Sequence, residues 1–355
     1  MPGPVRPGRT VAVTGAAAGA GAAVLARLRG SPHVHRAIGV DPEPGPGDWR
    51  RTDLLDPGLT GVFAGVDAVA HLAVDLTPDA DRAGQRLRNT RAVQTVLTAA
   101  FAAGVRRVVV VGSALAYGAY ADNPVPLPDD APLRAVPEAS AVGDLLEIER
   151  IAATSRRTHR GLAVTVLRPA VVLGAGDREP MAALLGASRL LRIRGADTRW
   201  QFCHVTDLAA AVELAALAAP GVLDGPANVG CDGWLDHETL EKLTGRRSLE
   251  LPERVAVGTA ERLHRLGITP APPSELAYLM HPWVVGTDRL HEAGWRPAYG
   301  NAEAVTDHLG HRSERGSLAR NATVVGGVVG GAAGAAAALV GTAALVRRAR
   351  RRKQG

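Results

Sequence analysis

The residues best placed to do chemistry come first in the chain. Val11-Ala12-Val13 runs into Thr14-Gly15-Ala16-Ala17-Ala18-Gly19-Ala20-Gly21, a strand leading through a glycine-rich turn into a helix. Gly15 permits the tight turn, and Gly19 or Gly21 lets the backbone approach a pyrophosphate. The helix start offers unpaired amides and a favourable dipole to the same anion. Twenty residues after Gly21, Asp41 closes a second apolar run, where a carboxylate accepts hydrogen bonds from an adenosine ribose and repels a 2′-phosphate. The pattern is that of a dinucleotide site and favours NAD over NADP; the plain alternative is a Gly/Ala-rich turn without ligand.

A second set lies further on. Ser113 follows the valine run Arg107–Val111 and can orient a substrate oxygen, although a lone serine is a poor base. Tyr117, four residues later, is a candidate acid, and Asp144 and Glu147 are candidates from the next helix, where carboxylates usually face water. His308 and His311 could share a helical face, yet no Cys or carboxylate pattern accompanies them, so no metal site is expected.

The elements that must position these residues alternate. Apolar runs at Thr10–Thr14, Ala37–Val40, Val66–Leu72, Arg107–Val111 and Val164–Leu167 are separated by Ala/Leu-rich helical stretches at Gly21–Arg29, Leu87–Ala103 and Asp144–Ala153. This rhythm predicts an α/β fold, a Rossmann-like doubly wound parallel sheet over residues 9–170. A smaller, interleaved C-terminal substrate lobe over 171–310 is predicted to carry helices at Asp207–Ala218 and Glu238–Leu243. Asn123–Pro137 and Pro270–Pro273 read as loops.

The ordered motifs resemble the extended short-chain dehydrogenase/reductases of the NAD-dependent epimerase/dehydratase type, over roughly residues 9 to 310. Thr14-Gly15 through Gly21 is similar to that family's nucleotide loop, with Ala18 where extended members carry glycine. Asp53-Leu54 is similar to the pair that contacts adenine, and His71-Leu72-Ala73 to the segment under the nicotinamide ribose. Asn89 and the Ser113–Gly118 segment match further signposts, as do Arg168-Pro169, His204–Leu208 and Asn228-Val229-Gly230. The resemblance implies NAD as cofactor, held by Thr14, Gly15, Gly19, Gly21, Asp41, Asp53, Leu54, Leu72, Ala73, Asn89, Arg168 and Pro169. It also implies that His281-Pro282-Trp283 and Gly294–Pro297 close the substrate lobe, and that helices mediate a homodimer.

One family feature is missing. Members use a tyrosine as acid/base, with a lysine four residues later that lowers its pKa and holds the ribose. The chain has two lysines, Lys242 and Lys353, preceded four positions earlier by Glu238 and Ala349, so no Tyr-x-x-x-Lys exists. Anchoring on Glu147–Arg150 puts Ala141 at the tyrosine position and Leu145 at the lysine position. Three functions follow as expectations. The first is an NAD-binding module with weak or absent hydride transfer, a pseudoenzyme. The second is an active enzyme on a nucleotide-sugar or lipid-like alcohol that uses a substituted acid, and the third a structural membrane protein without cofactor.

Composition narrows the classes. Of 355 residues, 46% are apolar and 21% charged, which excludes a disordered chain, and only three Phe, five Trp and four Tyr leave few platforms for nucleic-acid stacking. Cys203 and Cys231 allow at most one bridge and fit a reducing compartment. The net charge of +6 sits wholly in Arg347, Arg348, Arg350, Arg351, Arg352 and Lys353, so it argues for no nucleic-acid-binding domain.

Residues 1–8 are Pro/Gly-rich, expected to be disordered, and lack a signal-peptide pattern, which places the folded part in the cytoplasm. Residues 311–321 read as a linker. Residues 322–346 are uncharged, and as a helix would be about 37 Å long against a bilayer core of about 30 Å. Their Gly326, Gly330 and Gly334 would let two such helices approach closely. The expectation is a cytoplasmic domain associated with the cell membrane, with lipid contact through 322–353 and a basic tail at 347–355. The basic tail argues for a cytoplasmic C-terminus, which a single span cannot combine with a cytoplasmic N-terminus. A C-terminal anchor, an interfacial segment bound to anionic lipid, and no membrane contact therefore all stay open.

Overall fold

The computed structural model describes residues 8–76, 81–138, 140–174, 180–268 and 271–319. The strands are β1 (Arg9–Thr14), β2 (Val34–Asp41), β3 (Trp49–Arg51), β4 (Ala68–His71), β5 (Arg107–Val111), β6 (Ala163–Pro169), β7 (Val171–Leu173), β8 (Leu190–Ile193), β9 (Phe202–His204), β10 (Gly225–Val229) and β11 (Ser248–Leu251). The helices are α1 (Gly19–Gly30), α2 (Leu59–Val62), α3 (Arg82–Ala102), α4 (Ala141–Thr158), α5 (Pro180–Ala183), α6 (Val205–Leu217), α7 (His237–Thr244), α8 (Glu253–Arg265), α9 (Asp288–Glu292) and α10 (Asn301–Ala319).

Seven strands form one all-parallel sheet in the order β10-β6-β5-β4-β1-β2-β3. Alternation along β1 shows why it is covered on both faces. Val11 and Val13 pack with Val24, Leu25 and Leu28 of α1 and Leu208 and Val212 of α6, whereas Ala12 packs with Val93, Val96 and Leu97 of α3 and Ile148 of α4. The strand order reverses beside β1, so the crevice beyond the carboxyl ends of β1 and β4 is where such a sheet takes a ligand.

Local chemistry starts the flanking helices. Asp81 caps α3 by accepting from the Gly84 amide at 2.9 Å, and Ser140 caps α4 by accepting from Gly143 at 3.2 Å. α1 differs: Ala18 sits at its N-cap with no side-chain hydrogen bond, and its first turn carries no acid.

A third apolar cluster builds the smaller lobe from the two-stranded β8/β11 sheet, α7, α8 and Leu276 to Val285. This lobe is interleaved with the main sheet, because β10 comes from the later half of the chain yet pairs with β6. The expected loop at Asn123–Pro137 straps the two together: the Asn123 side chain donates to Gly118 and Pro282 carbonyls, each at 2.9 Å.

The expected linker is corrected, since α10 runs through 311–319. Among the described residues no helix is long and apolar enough to cross a membrane. The expected membrane segment 322–346, the basic tail 347–355 and residues 1–7 lie outside the described residues. Cys203 and Cys231 are both free and buried, and burial pushes both thiols up, Cys231 to about 12.

Candidate functional site

A cleft of about 440 Å³ opens at the carboxyl edge of the sheet, and one wall is the glycine-rich turn. Gly15 adopts φ +73°, and a Cβ there would meet the Ala73 backbone at 2.8 Å, so only glycine lets the loop after β1 lie against the loop after β4. Gly21 faces Gly15 so closely that an added Cβ would overlap the Gly15 carbonyl. These approaches draw the amides at the start of α1 into the cleft wall, with no capping side chain to occupy them.

Asp41 ends β2 at the same wall. Its Oδ2 accepts from the Ala17 amide at 3.1 Å and its Oδ1 from the Glu43 amide at 3.0 Å. Each oxygen keeps a lone pair, so the carboxylate is fixed in place and still able to accept from a ribose. Asp53 and Leu54 line the next part, then Leu72, Ala73 and Val74, then Gly112, Ser113 and Pro169. Ser113 Oγ accepts from the Leu115 amide at 3.2 Å and so caps the short 3₁₀ turn Ala114–Tyr117.

Of the residues assigned from the sequence, Gly15, Gly19, Gly21, Asp41, Asp53, Leu54, Leu72, Ala73, Asn89, Ser113 and Pro169 come together in this cleft. Three others do not line it. Thr14 is fully buried beneath the loop, with Oγ1 2.7 Å from His71 Nδ1. Arg168 turns into the protein, donating twice to Glu149 at 2.6 and 2.9 Å and once to the Tyr117 hydroxyl at 2.8 Å. Burial opposes its charge, but the hydrogen bond and charge of Glu149 outweigh it and hold Arg168 above its ordinary value.

Tyr117, the third, is corrected as a candidate acid. Its side chain is 0% exposed, and its hydroxyl donates to Asn228 Oδ1 at 2.8 Å while accepting from Arg168. Burial raises its pKa further, so it is a structural cross-link between β6 and β10.

Asp144, expected to face water with Glu147, is also corrected. Glu147 is partly exposed and pairs with Arg150, but Asp144 is 0% exposed. Its Oδ2 accepts from Arg82 Nη2 at 3.0 Å and from Asn89 Nδ2 at 3.2 Å. Asn89 in turn donates to the Asp75 carbonyl at 2.9 Å and accepts from the Asp75 amide at 3.0 Å, while Gln85 donates to the same carbonyl. A buried polar network therefore joins the N-terminal halves of α3 and α4 to the loop 72–76 that floors the cleft. Sequence reasoning missed it because Arg82, Gln85 and Asp144 look like solvated helix residues; the i, i+3, i+7 spacing of Arg82, Gln85 and Asn89 was the available signal.

At the two positions where the resemblance would put a tyrosine and a lysine stand Ala141, partly buried, and Leu145, 1% exposed within the lobe's apolar cluster. Neither lines the cleft. His204 caps α6 and stacks on Tyr299, and His311 lies 3.5 Å from Asp307. Among the described residues no group of three or more His, Cys, Asp or Glu is placed to hold a metal ion.

The NAD dependent epimerase/dehydratase family profile matches residues 11–230, which takes in the sheet and the whole cleft. The chain belongs to that family. It is 29% identical over 319 residues to Uncharacterized protein Rv0501 of Mycobacterium tuberculosis, covering 85% of this chain and 83% of that one. Among solved structures it is similar to MoeE5 in complex with UDP-glucose and NAD, with 25% identity, a TM-score of 0.64, and coverage of 87% of this chain and 99% of that one. It is also similar to the UDP-glucose 4-epimerase of Thermus thermophilus in complex with NAD, with 18% identity, a TM-score of 0.64, and coverage of 85% and 98%. The family is NAD-dependent, and the uncapped α1 amides, the close glycine turn and the anchored Asp41 carboxylate fit that cofactor.

Proposed function

We propose that the chain binds NAD in this cleft and transfers hydride weakly or not at all, serving as a cofactor-dependent binding or regulatory module. NAD when bound supplies a hydride acceptor. Gly15, Gly19 and Gly21 hold its pyrophosphate, Asp41 its adenosine ribose, and Leu72, Ala73 and Pro169 the far half.

The observation that carries this reading is that, among the described residues, no tyrosine or lysine lines the cleft. Each tyrosine is engaged elsewhere: Tyr117 with Asn228 and Arg168, Tyr120 with the Arg134 carbonyl, Tyr278 with the Leu115 carbonyl, and Tyr299 against His204. Lys242 belongs to α7. Moving a hydride to or from a carbon that bears oxygen also moves a proton, and general acid–base catalysis is worth roughly 10²–10⁴-fold.

The test offers nucleotide-sugars and long-chain alcohols to the NAD-loaded protein, with net oxidation followed by NADH absorbance and epimerisation, which leaves no net NADH, by chromatography of the sugar. Turnover that Ser113→Ala abolishes would replace this reading with its alternative, an oxidoreductase or epimerase on such a substrate. The cleft position of the Ser113 hydroxyl favours that alternative.

The same proposal makes the folded part a cytoplasmic domain held at the cell membrane through residues 322–353, on the strength of their uncharged run and basic end. Release of the full chain by alkaline carbonate would defeat an integral anchor. A homodimer through helices is supported by Leu87 and Phe101, exposed on α3. Sedimentation as a monomer would count against it.

A further inference from the structure

Exposed apolar side chains gather at one place on the smaller lobe. Among the described residues, the large apolar side chains at least half exposed are Leu266 at 65%, Ile268 at 54%, Leu87 at 53% and Val255 at 50%. Leu87 lies on α3; the other three belong to α8 and the turn that follows it. Water holds such groups at a cost, and a cluster of them marks a contact surface.

The pattern of α8 presents them together. Its inner face, Ala256, Ala260 and Leu263, is buried, and the first two pack in the same apolar cluster as Ala304 and Val305 of α10. On the outer face Val255, Arg262 and Leu266 follow at intervals of seven and four residues, one line along the helix. Arg254 and Arg265, eleven apart, form the adjoining line. All three arginines are exposed, and among the described residues no side-chain hydrogen bond or ion pair engages their guanidiniums. Arg194 of β8, by contrast, pairs with Glu250. The two acids of α8, Glu253 and Glu261, do not offset its three arginines.

We infer that this outer face of α8 rests on an anionic lipid surface, with Val255, Leu266 and Ile268 against the headgroup layer and Arg254, Arg262 and Arg265 on lipid phosphates. Two observations choose lipid as the occupant. The first is charge: unpaired arginines beside apolar side chains lay their stems along apolar matter while the guanidiniums meet phosphate. The second is where the chain goes next. From the same lobe, α10 ends at Ala319, three residues before the uncharged run 322–346, and six bases follow that run. A tether alone leaves a domain free to turn, whereas a second contact on the folded part fixes which face meets the lipid. The inference rests on the reading that residues 322–353 hold the chain at a membrane.

The test uses the full chain carrying Leu266→Cys, labelled with a nitrobenzoxadiazole dye whose emission moves to the blue in an apolar setting. The native Cys203 and Cys231 are buried and stay unlabelled. Val222→Cys is the control, an exposed site whose carbonyl accepts from Arg107 at the start of β5. Vesicles of equal parts phosphatidylcholine and phosphatidylglycerol should shift the dye at 266 and not at 222. Phosphatidylcholine alone should give no shift, and adding Arg262→Glu with Arg265→Glu should abolish it. Co-sedimentation with the mixed vesicles but no shift at 266 overturns the inference and leaves the tether intact; no co-sedimentation overturns both. A shift kept by the charge-reversed variant, or equal on phosphatidylcholine alone, or equal at 222, also overturns it. So does emission already blue without vesicles, which would mean that residues 322–346 themselves cover α8.

Discussion

Asn89 Nδ2 stands 3.2 Å from Asp144 Oδ2, so a fully buried carboxylate one residue before Leu145 holds the amide that fixes the cleft floor. Where the resemblance would put a lysine, at that turn of α4, Leu145 packs in an apolar cluster. Beside it an ion pair with Arg82, on the neighbouring helix, keeps the loop after β4 in place.

Asp144→Ala leaves the Arg82 guanidinium, whose side chain is only 17% exposed, without its buried partner. Breaking such a pair costs about 3–5 kcal/mol. The urea midpoint should fall accordingly, and NAD affinity should fall with it because Asn89 loses its anchor. A midpoint unchanged within error would show that the network is incidental. Asp144→Asn, which keeps the shape and one acceptor, should lose less.

Glu149→Ala similarly strands Arg168, whose side chain is 6% exposed and bonded to Glu149 through two nitrogens. A loss of about 3–5 kcal/mol is expected in denaturant unfolding. Stability equal to that of the parent protein would mean that Tyr117 and the Asp129 carbonyl suffice for the guanidinium.

His71 gives a pH dependence of definite sign. It is wholly buried, with Nδ1 bonded to Thr14 and no hydrogen-bond partner at Nε2, and burial pushes its pKa down from 6.5 to about 4. The unfolded chain therefore binds the proton first as pH falls. The stability associated with the neutral ring is complete above about pH 6.5 and is lost on the way down to about pH 4, a change of about 3 kcal/mol. Unfolding curves at pH 7, 5.5 and 4.5 should drop more steeply for the parent protein than for His71→Asn. Parallel slopes would rule out His71 as the source.

Leu145→Lys should not recreate a working site. Leu145 packs in the lobe's apolar cluster at 1% exposure, and an ammonium there costs on the order of 4–7 kcal/mol. The variant is expected to unfold at lower urea and to show no cofactor reduction with nucleotide-sugars. Wild-type stability together with new turnover would show that position 145 reaches the cleft.

The parts of the fold and site readable in advance are those written in local pattern. The valine runs and the Gly15–Gly21 turn mark β1, β5 and the nucleotide loop, because burial on both faces and close backbone approach each demand particular residues at consecutive positions. Arg107–Val111 is matched to the residue, whereas β2 begins three residues before the predicted run because His35 and Arg36 are exposed at its edge. β8, β11 and α8 were not predicted; their short segments carry too few apolar positions to set a period.

Tyr117, Arg168 and Asp144 were misplaced for a different reason. What each does is decided by a partner far away in sequence, Asn228, Glu149 and Arg82 respectively, and no spacing within their own elements encodes it. The absence of any Tyr-x-x-x-Lys, by contrast, is legible in the sequence alone, because it needs no distant partner to be seen.

The most direct test of a live cofactor cleft is calorimetric titration of NAD into the full-length protein beside a Gly15→Val variant. Gly15 sits at φ +73° with the Ala73 backbone 2.8 Å from any added Cβ, so the variant closes the phosphate turn. The account predicts saturable NAD binding by the parent protein and a loss of at least tenfold in the variant. Equal binding by both proteins, or none by either, would contradict it.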